Sequence, residues 1–546
     1  MFARVKKSGK YEYLQIVENK KIKGKVRQRV IATVGRLDKL HSKGQVETLI
    51  RSLSRFSEKV LLILSGRSEA LANAKKIGPS LIFERFWNEL GIKKAIKKVL
   101  SGRKFQFDVE RAIFLTTLHR LIVSGSDRSC DKWKRDYVIR GTEGIELHHL
   151  YRAMSFLVEP VGGQEDTLPF TQRCIKDQIE EYLFKINKDI FSDLDLVFFD
   201  TTSIYFEGKG GSELGEHGHS KDHRPELKQM VIGVVIDNHG RPICCEMWPG
   251  NTSDAKTLIP IAERLQERFG IKRFCIVADR GIFSASTIEE LKDKRLFYIL
   301  GTRMRNQKVI REDILSRGGR FKEVYPENLD SKSPSPLKVK EVWQDGRRYI
   351  VCLNPKQAKK DALTRNTIIE ALKEKLGRNP KAVIGNKGYR RYLKISKDTV
   401  NIDISKIKEE EKFDGKWVLE TNTDLSSQEV ALRYKELWQV EHVFRDMKSV
   451  LETRPIYHQR DDAIKGHVFC SFLALLLRKE LLDRLERQGH DLEWCDIIQD
   501  LEALQEVVIQ ENGKTLAIRT QCQGTCSKVF KSLKMALPPT IREITE

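Results

Sequence analysis

From residue 191 onwards, short apolar runs of strand length alternate with stretches of helical periodicity. Leu194–Asp200, Val231–Asp237 and Ile243–Trp248 predict three consecutive strands, Ala255–Phe269 a helix, and Phe274–Asp279 a fourth strand. A helix over Ser286–Lys294 and a fifth strand over Leu296–Leu300 follow. Between 302 and 420 the pattern predicts strands at Leu337–Trp343, Arg348–Leu353, Tyr392–Ile395 and Trp417–Glu420, with one polar helix, Asp361–Leu376, among them. From 421 to 480 the pattern is helical and includes the apolar stripe Leu473–Leu477, and the tail from 481 to 546 is mixed. Ahead of this, residues 46–190 repeat apolar positions every three or four residues, as in Ser80–Gly91 and Val109–Val123. Residues 1–45 alternate in Tyr11–Val17 and again in Val26–Val34 about a Lys/Gly turn, which predicts a β-hairpin.

Two of the predicted strands end in a carboxylate. Leu194–Phe199 delivers Asp200, followed by Thr201, Thr202 and Ser203, and Phe274–Ala278 delivers Asp279, followed by Arg280 and Gly281. A buried strand that ends in Asp puts the carboxylate at the rim of a sheet, where ligands bind in open α/β sheets. The same residue is also a common cap or turn former, so neither aspartate alone decides the matter. A third carboxylate comes from a helix. Tyr434, Glu441 and Lys448 recur at intervals of seven, almost two helical turns, with a drift of about 20° per step. Asp424 or Ser426 is placed to cap that helix. A carboxylate for a divalent metal, flanked by donors for a phosphodiester, suits phosphoryl transfer on DNA.

Charge points to the same substrate class. A net charge of +22, with 40% hydrophobic and 32% charged residues, describes a globular chain with an acidic partner. Residues 1–50 hold 13 Lys/Arg against 4 Asp/Glu, including the run Lys20–Arg29, which suits a DNA backbone although a solvated charged face is the ordinary alternative. The first residues carry charges with no apolar core after them, and the longest nearly uncharged stretch, Val468–Leu477, is half a membrane span. A soluble, cytoplasmic protein with no membrane partner is expected. Ten cysteines, several inside predicted strands, read as reduced core residues, and Cys522 and Cys526 lack the second pair a zinc site needs. His217, His219 and His223 lie in a Gly-rich loop and favour a structural or DNA-contact role over zinc. His442 points about 100° from Glu441 on a helix.

Taken together, Asp200-Thr201-Thr202, Ala278-Asp279-Arg280-Gly281 and the segment from Tyr434 to Lys448 resemble the three catalytic blocks of the Asp-Asp-Glu transposases of insertion sequences. The Tyr-x2-Arg-x3-Glu-x6-Lys signature points to the superfamily of insertion sequence four. Gly218–Pro225 and Pro249–Asp254 agree with it, and the resemblance spans about 200 to 475. Leu437 stands where the signature has Arg, which leaves two readings open: a divergent or damaged copy, or Arg433 or Arg445 supplying that phosphate contact. The resemblance implies an α/β fold: an RNase H-like core in two parts, 191–301 and 421–480, interrupted by a β-rich insertion domain, 302–420, since 162 residues separate Asp279 from Glu441. A mostly helical DNA-binding region, 46–190, and a basic β-hairpin region, 1–45, precede it, and a mixed helical tail, 481–546, follows.

The implied chemistry uses Asp200, Asp279 and Glu441 as catalytic and metal-binding residues for two Mg2+ ions, about 3.5–4 Å apart in such sites, with Mn2+ as a substitute. Tyr434, Arg445 and Lys448 would contact DNA. The implied partners are double-stranded DNA, both insertion-sequence ends and target, and a second copy of the chain in the DNA complex. A nuclease on the same fold, or a DNA-binding relative without catalysis, are the alternatives.

Overall fold

The computed structural model describes residues 2–22, 25–42, 45, 46, 49, 74–162, 172–187, 196–271, 274–282, 284–325, 337–378, 383, 384, 386–395, 400–511 and 514–544. They fall into two compact units, one of residues 1–82, 135–139 and 484–546, the other of residues 83–134 and 140–483.

The first unit begins with an antiparallel sheet of three strands, β1 (Phe2–Ser8), β2 (Tyr11–Ile22) and β3 (Lys25–Arg36), in that order. The sequence predicts two of them. The strand it misses, β1, is exposed at every position but Arg4 and carries Lys6 and Lys7, so it has no apolar alternation to read. Gly9, at φ 60°, makes the two-residue turn into β2. A short strand, β4 (Ala74–Lys76), belongs to a second sheet of this unit that is completed by residues after 504. Residues 51–73 of the expected helical block lie outside the described residues.

The second unit is built on a nine-stranded sheet. Its strands are β5 (Leu196–Tyr205), β6 (Gln229–Ile236), β7 (Pro242–Pro249), β8 (Cys275–Ala278), β9 (Phe297–Gly301), β10 (Lys322–Val324), β11 (Leu337–Gln344), β12 (Arg347–Leu353) and β15 (Lys416–Thr421), with a separate two-stranded pair, β13 (Leu393–Ile395) and β14 (Val400–Ile402). Across the large sheet the order is β10-β11-β12-β15-β9-β8-β5-β6-β7. Strands β5, β8 and β9 are parallel, and the other pairings are antiparallel. Three of the four strands expected within 302–420 therefore continue the central sheet, with β15 seated between β9 and β12, and the fourth, β13, pairs with β14 apart from it.

Burial on both faces explains why β5, β6 and β8 read as continuous apolar runs. Residues Val197, Phe199, Val235, Ile276 and Leu300 pack on one face against helices α5 (Leu258–Glu267) and α6 (Ala285–Asp293), through Leu258, Ile261, Leu265, Ile288 and Leu291. The alternate residues Phe198, Val234, Val277 and Ile299 are buried too. The helices that precede the sheet in this unit include α1 (Val109–Ile122), α2 (Asp127–Trp133), α3 (Leu147–Phe156) and α4 (Ile175–Ile186). After β15 come α7 (Ser427–Lys435), α8 (Trp438–Arg445) and α9 (Asp461–Glu486). None of the described helices is long and apolar enough to cross a membrane. All ten cysteines are free thiols, and eight are buried.

Candidate active site

Asp200 lies in mid-strand, contrary to the expectation that it ends one. The hydroxyl residues after it, Thr201, Thr202 and Ser203, are buried and extend β5 by pairing with Gly233, Ile232 and Val231 of β6. On the other side the parallel ladder stops at Phe198 opposite Val277. Asp200 and Asp279 thus stand two residues beyond that pair on neighbouring parallel strands, at the same carboxyl edge. The Thr201 N–H donates to Asp200 Oδ1 at 2.7 Å. Burial pushes the Asp200 carboxyl up to about 6; Lys221 and the Thr201 amide oppose this, and the charges of Asp279 and Asp254 add to it. A carboxyl raised in this way is relieved by a cation.

Asp254 and Lys221 are the residues the sequence offered only as parts of longer motifs. Thr201 Oγ1 donates to Asp254 Oδ1 at 2.6 Å. The Lys221 ammonium lies 3.2 Å from Asp254 Oδ2 and 3.9 Å from Asp200 Oδ1. These contacts span 53, 33 and 21 residues of chain, so no local periodicity announces them.

Asp279 is held from the helical side. Tyr434 Oη donates to Asp279 Oδ1 at 2.8 Å, and burial, then the Asp279 charge, push the phenol well above its ordinary range. The approach depends on Gly301 at the end of β9. A Cβ there would lie 2.4 Å from Tyr434 Oη and 3.0 Å from the Arg280 nitrogen.

The helix that carries Tyr434, Glu441 and Lys448 is interrupted, which corrects the single-face expectation. Ser426 caps α7 in a reciprocal box with Glu429. Tight bonds from Glu436 N to Arg433 O and from Leu437 N to Tyr434 O then close the first segment before α8 begins. Asp446–Val450 follows as a wider π turn. Each signature residue consequently sits on its own segment. Tyr434 meets Asp279; Lys448 Nζ meets Asp222 Oδ1 at 2.8 Å, beside Arg454 at 2.6 Å from the same oxygen. Burial lowers the Lys448 pKa, although Asp222 opposes this. Glu441 and Arg445, one helical turn apart, are exposed on α8, whose buried face, Val440, Val443 and Phe444, packs toward β5 and β6. Leu437 is only 7% exposed and Arg433 pairs with Glu436, so the departure from the signature is a packing residue. His442 stacks edge-on against Trp438.

Among the described residues, the trio of ligand-type side chains that comes within 4.8 Å of one another is Asp127, His458 and His467, not Asp200, Asp279 and Glu441. That trio is an ion-pair network. Arg120 Nη2 lies 2.8 Å from His467 Nδ1 and 3.2 Å from Asp127 Oδ1, so a guanidinium already supplies the positive charge. His217, His219 and His223 are exposed. A cavity of about 860 Å³ opens beside Asp279 and Tyr434 and is lined by Arg280, Arg303, Arg305 and Arg365 among others.

Two family models match this chain. One, described as a transposase DDE domain, covers residues 192–477, and the other, described as the N-terminal domain of IS1634 family transposases, covers residues 3–68. No curated protein matches the sequence.

Proposed function

From the premise that this chain belongs to the DDE-domain transposases of insertion sequences, with an N-terminal domain of the IS1634 family, we propose that it cleaves and joins DNA strands at the terminal inverted repeats of its element. The observation that carries this reading is the pair Asp200 and Asp279 at the carboxyl edge of adjacent parallel strands, with Tyr434 of α7, the segment before the one that carries Glu441, bonded to Asp279. The β5-β6-β7 hairpins beside parallel β8 and β9 support an RNase H-like core.

Asp200, Asp279 and Glu441 would hold divalent cations, and the raised Asp200 carboxyl fits such a site, because burial and the neighbouring charges of Asp279 and Asp254 disfavour its ionised form and a bound cation would offset both. Bound Mg2+, or Mn2+ in its place, supplies positive charge at the attacking and leaving oxygens of an in-line displacement. The protein's own groups do the rest. Tyr434 fixes the rotamer of Asp279. Lys448 and Arg445 position the phosphodiester, and the arginines around the cavity neutralise the backbone beyond it, setting register rather than reading sequence. The +22 charge draws both element ends and target DNA. A dimer in the DNA complex would let two ends react together.

The test uses purified protein, Mg2+ and duplexes carrying the element's terminal repeats, near physiological ionic strength and against unrelated DNA. Release of 3'-hydroxyl ends and their insertion into a second DNA are expected, and Glu441→Ala abolishes both. Cleavage without joining, with both ends bound, moves the reading to a nuclease.

A further inference from the structure

Lys221 stands in the loop after β5, with its backbone pinned and its ammonium inside the candidate site. Its N–H donates to Ser203 Oγ at 2.7 Å. The next residue, Asp222, has a side chain only 5% exposed and is gripped by Lys448 and Arg454. From this fixed backbone the ammonium donates to Thr201 O at 2.7 Å and to Thr201 Oγ1 at 2.9 Å, and lies 3.2 Å from Asp254 Oδ2 and 3.9 Å from Asp200 Oδ1. Thr201 Oγ1 in turn donates its own hydrogen bond to Asp254. The result is a closed set of two carboxylates, one hydroxyl and one ammonium.

A second cation entering at Asp200 meets like charge about 4 Å away, in surroundings where such repulsion is poorly screened. The Lys221 side chain is 31% exposed, so it has a route out by rotation alone, without loop movement. We propose that Lys221 is a resident counter-ion: it holds Asp200 and Asp254 together in the metal-free protein and gives way to the incoming divalent cation. Asp254 is then a fourth carboxylate of the site and a positioning residue, acting on Asp200 through Thr201 and Lys221. The inference rests on the metal-dependent reading above.

The test reads metal binding directly. Free Mn2+ is followed by electron paramagnetic resonance during titration of the wild type, Lys221→Met and Lys221→Arg. Loss of the competing charge lowers the half-saturating Mn2+ of Lys221→Met by about tenfold or more, equivalent to ~1.4 kcal/mol, whereas Lys221→Arg stays close to wild type. Equal or weaker binding by Lys221→Met overturns the counter-ion and leaves the metal reading standing. If neither wild type nor Lys221→Met binds Mn2+, the metal reading itself fails. A second measurement needs no variant: saturating Mn2+ raises reductive methylation of Lys221 in the wild type, read by peptide mass spectrometry. Unchanged or lower modification contradicts the exchange.

Discussion

At Asp200 the demands of chemistry and of folding conflict. A carboxyl whose pKa rises from 3.8 unfolded to about 6 folded favours the folded state only while protonated. That contribution is present below about pH 4 and lost as pH rises through about 6, amounting to about 3 kcal/mol at ~1.36 kcal/mol per unit. Asp200→Asn is therefore expected to raise the melting temperature of the metal-free protein at pH 7 while abolishing cleavage. The gain should shrink toward pH 4, and a melting temperature unchanged at pH 7 refutes it. Tyr434 is the second test at this scale. Its phenol gives Asp279 a hydrogen bond to a charged group, worth about 1.5–3 kcal/mol, so Tyr434→Phe should slow single-turnover nicking by about 10- to 100-fold. Leu437→Arg is expected to fail as a repair of the signature. The site is buried, and a guanidinium there lowers both melting temperature and nicking. Faster nicking by this variant would show that the missing phosphate contact matters more than the packing.

Among the elements, the end of β9 and the end of α7 act as one device. Gly301→Ala puts a methyl group where the Tyr434 hydroxyl sits, so its nicking defect and that of Tyr434→Phe should overlap rather than multiply in the double variant. Multiplying defects would mean that Gly301 acts elsewhere. Much of this scale is legible in the sequence. The strands carrying Asp200 and Asp279 stand out because both faces of the sheet are buried, and the Ser426 cap follows from a hydroxyl three residues before Glu429. What the sequence conceals has particular causes. Thr201, Thr202 and Ser203 resemble a turn but pair with β6. Strand β1 is exposed along nearly its whole length and offers no apolar alternation to read. The break at Glu436 and the π turn at Asp446 leave no composition signal, and Lys221 and Asp254 become chemical only through contacts made across the fold.

At the scale of the whole molecule, the net charge of +22 is expected to set how DNA is met. Affinity for unrelated duplex should fall steeply with salt, with a log–log slope near −0.9 per phosphate neutralised, and fluorescence anisotropy over 50–200 mM salt checks it; a flat response would detach the +22 charge from DNA binding. The sheet order has a consequence in time. Strand β15 completes the pairing of β9, yet 115 residues separate Gly301 from Lys416. On a ribosome adding about 5–20 residues per second, the β9 edge waits roughly ten seconds for its neighbour. An open edge is a template for mispairing with another nascent chain. On the proposed reading, the yield of active protein would be exposed to translation speed and chaperone supply at a place remote from the reaction, and an unfinished chain, still lacking Glu441, would have no means to cut DNA.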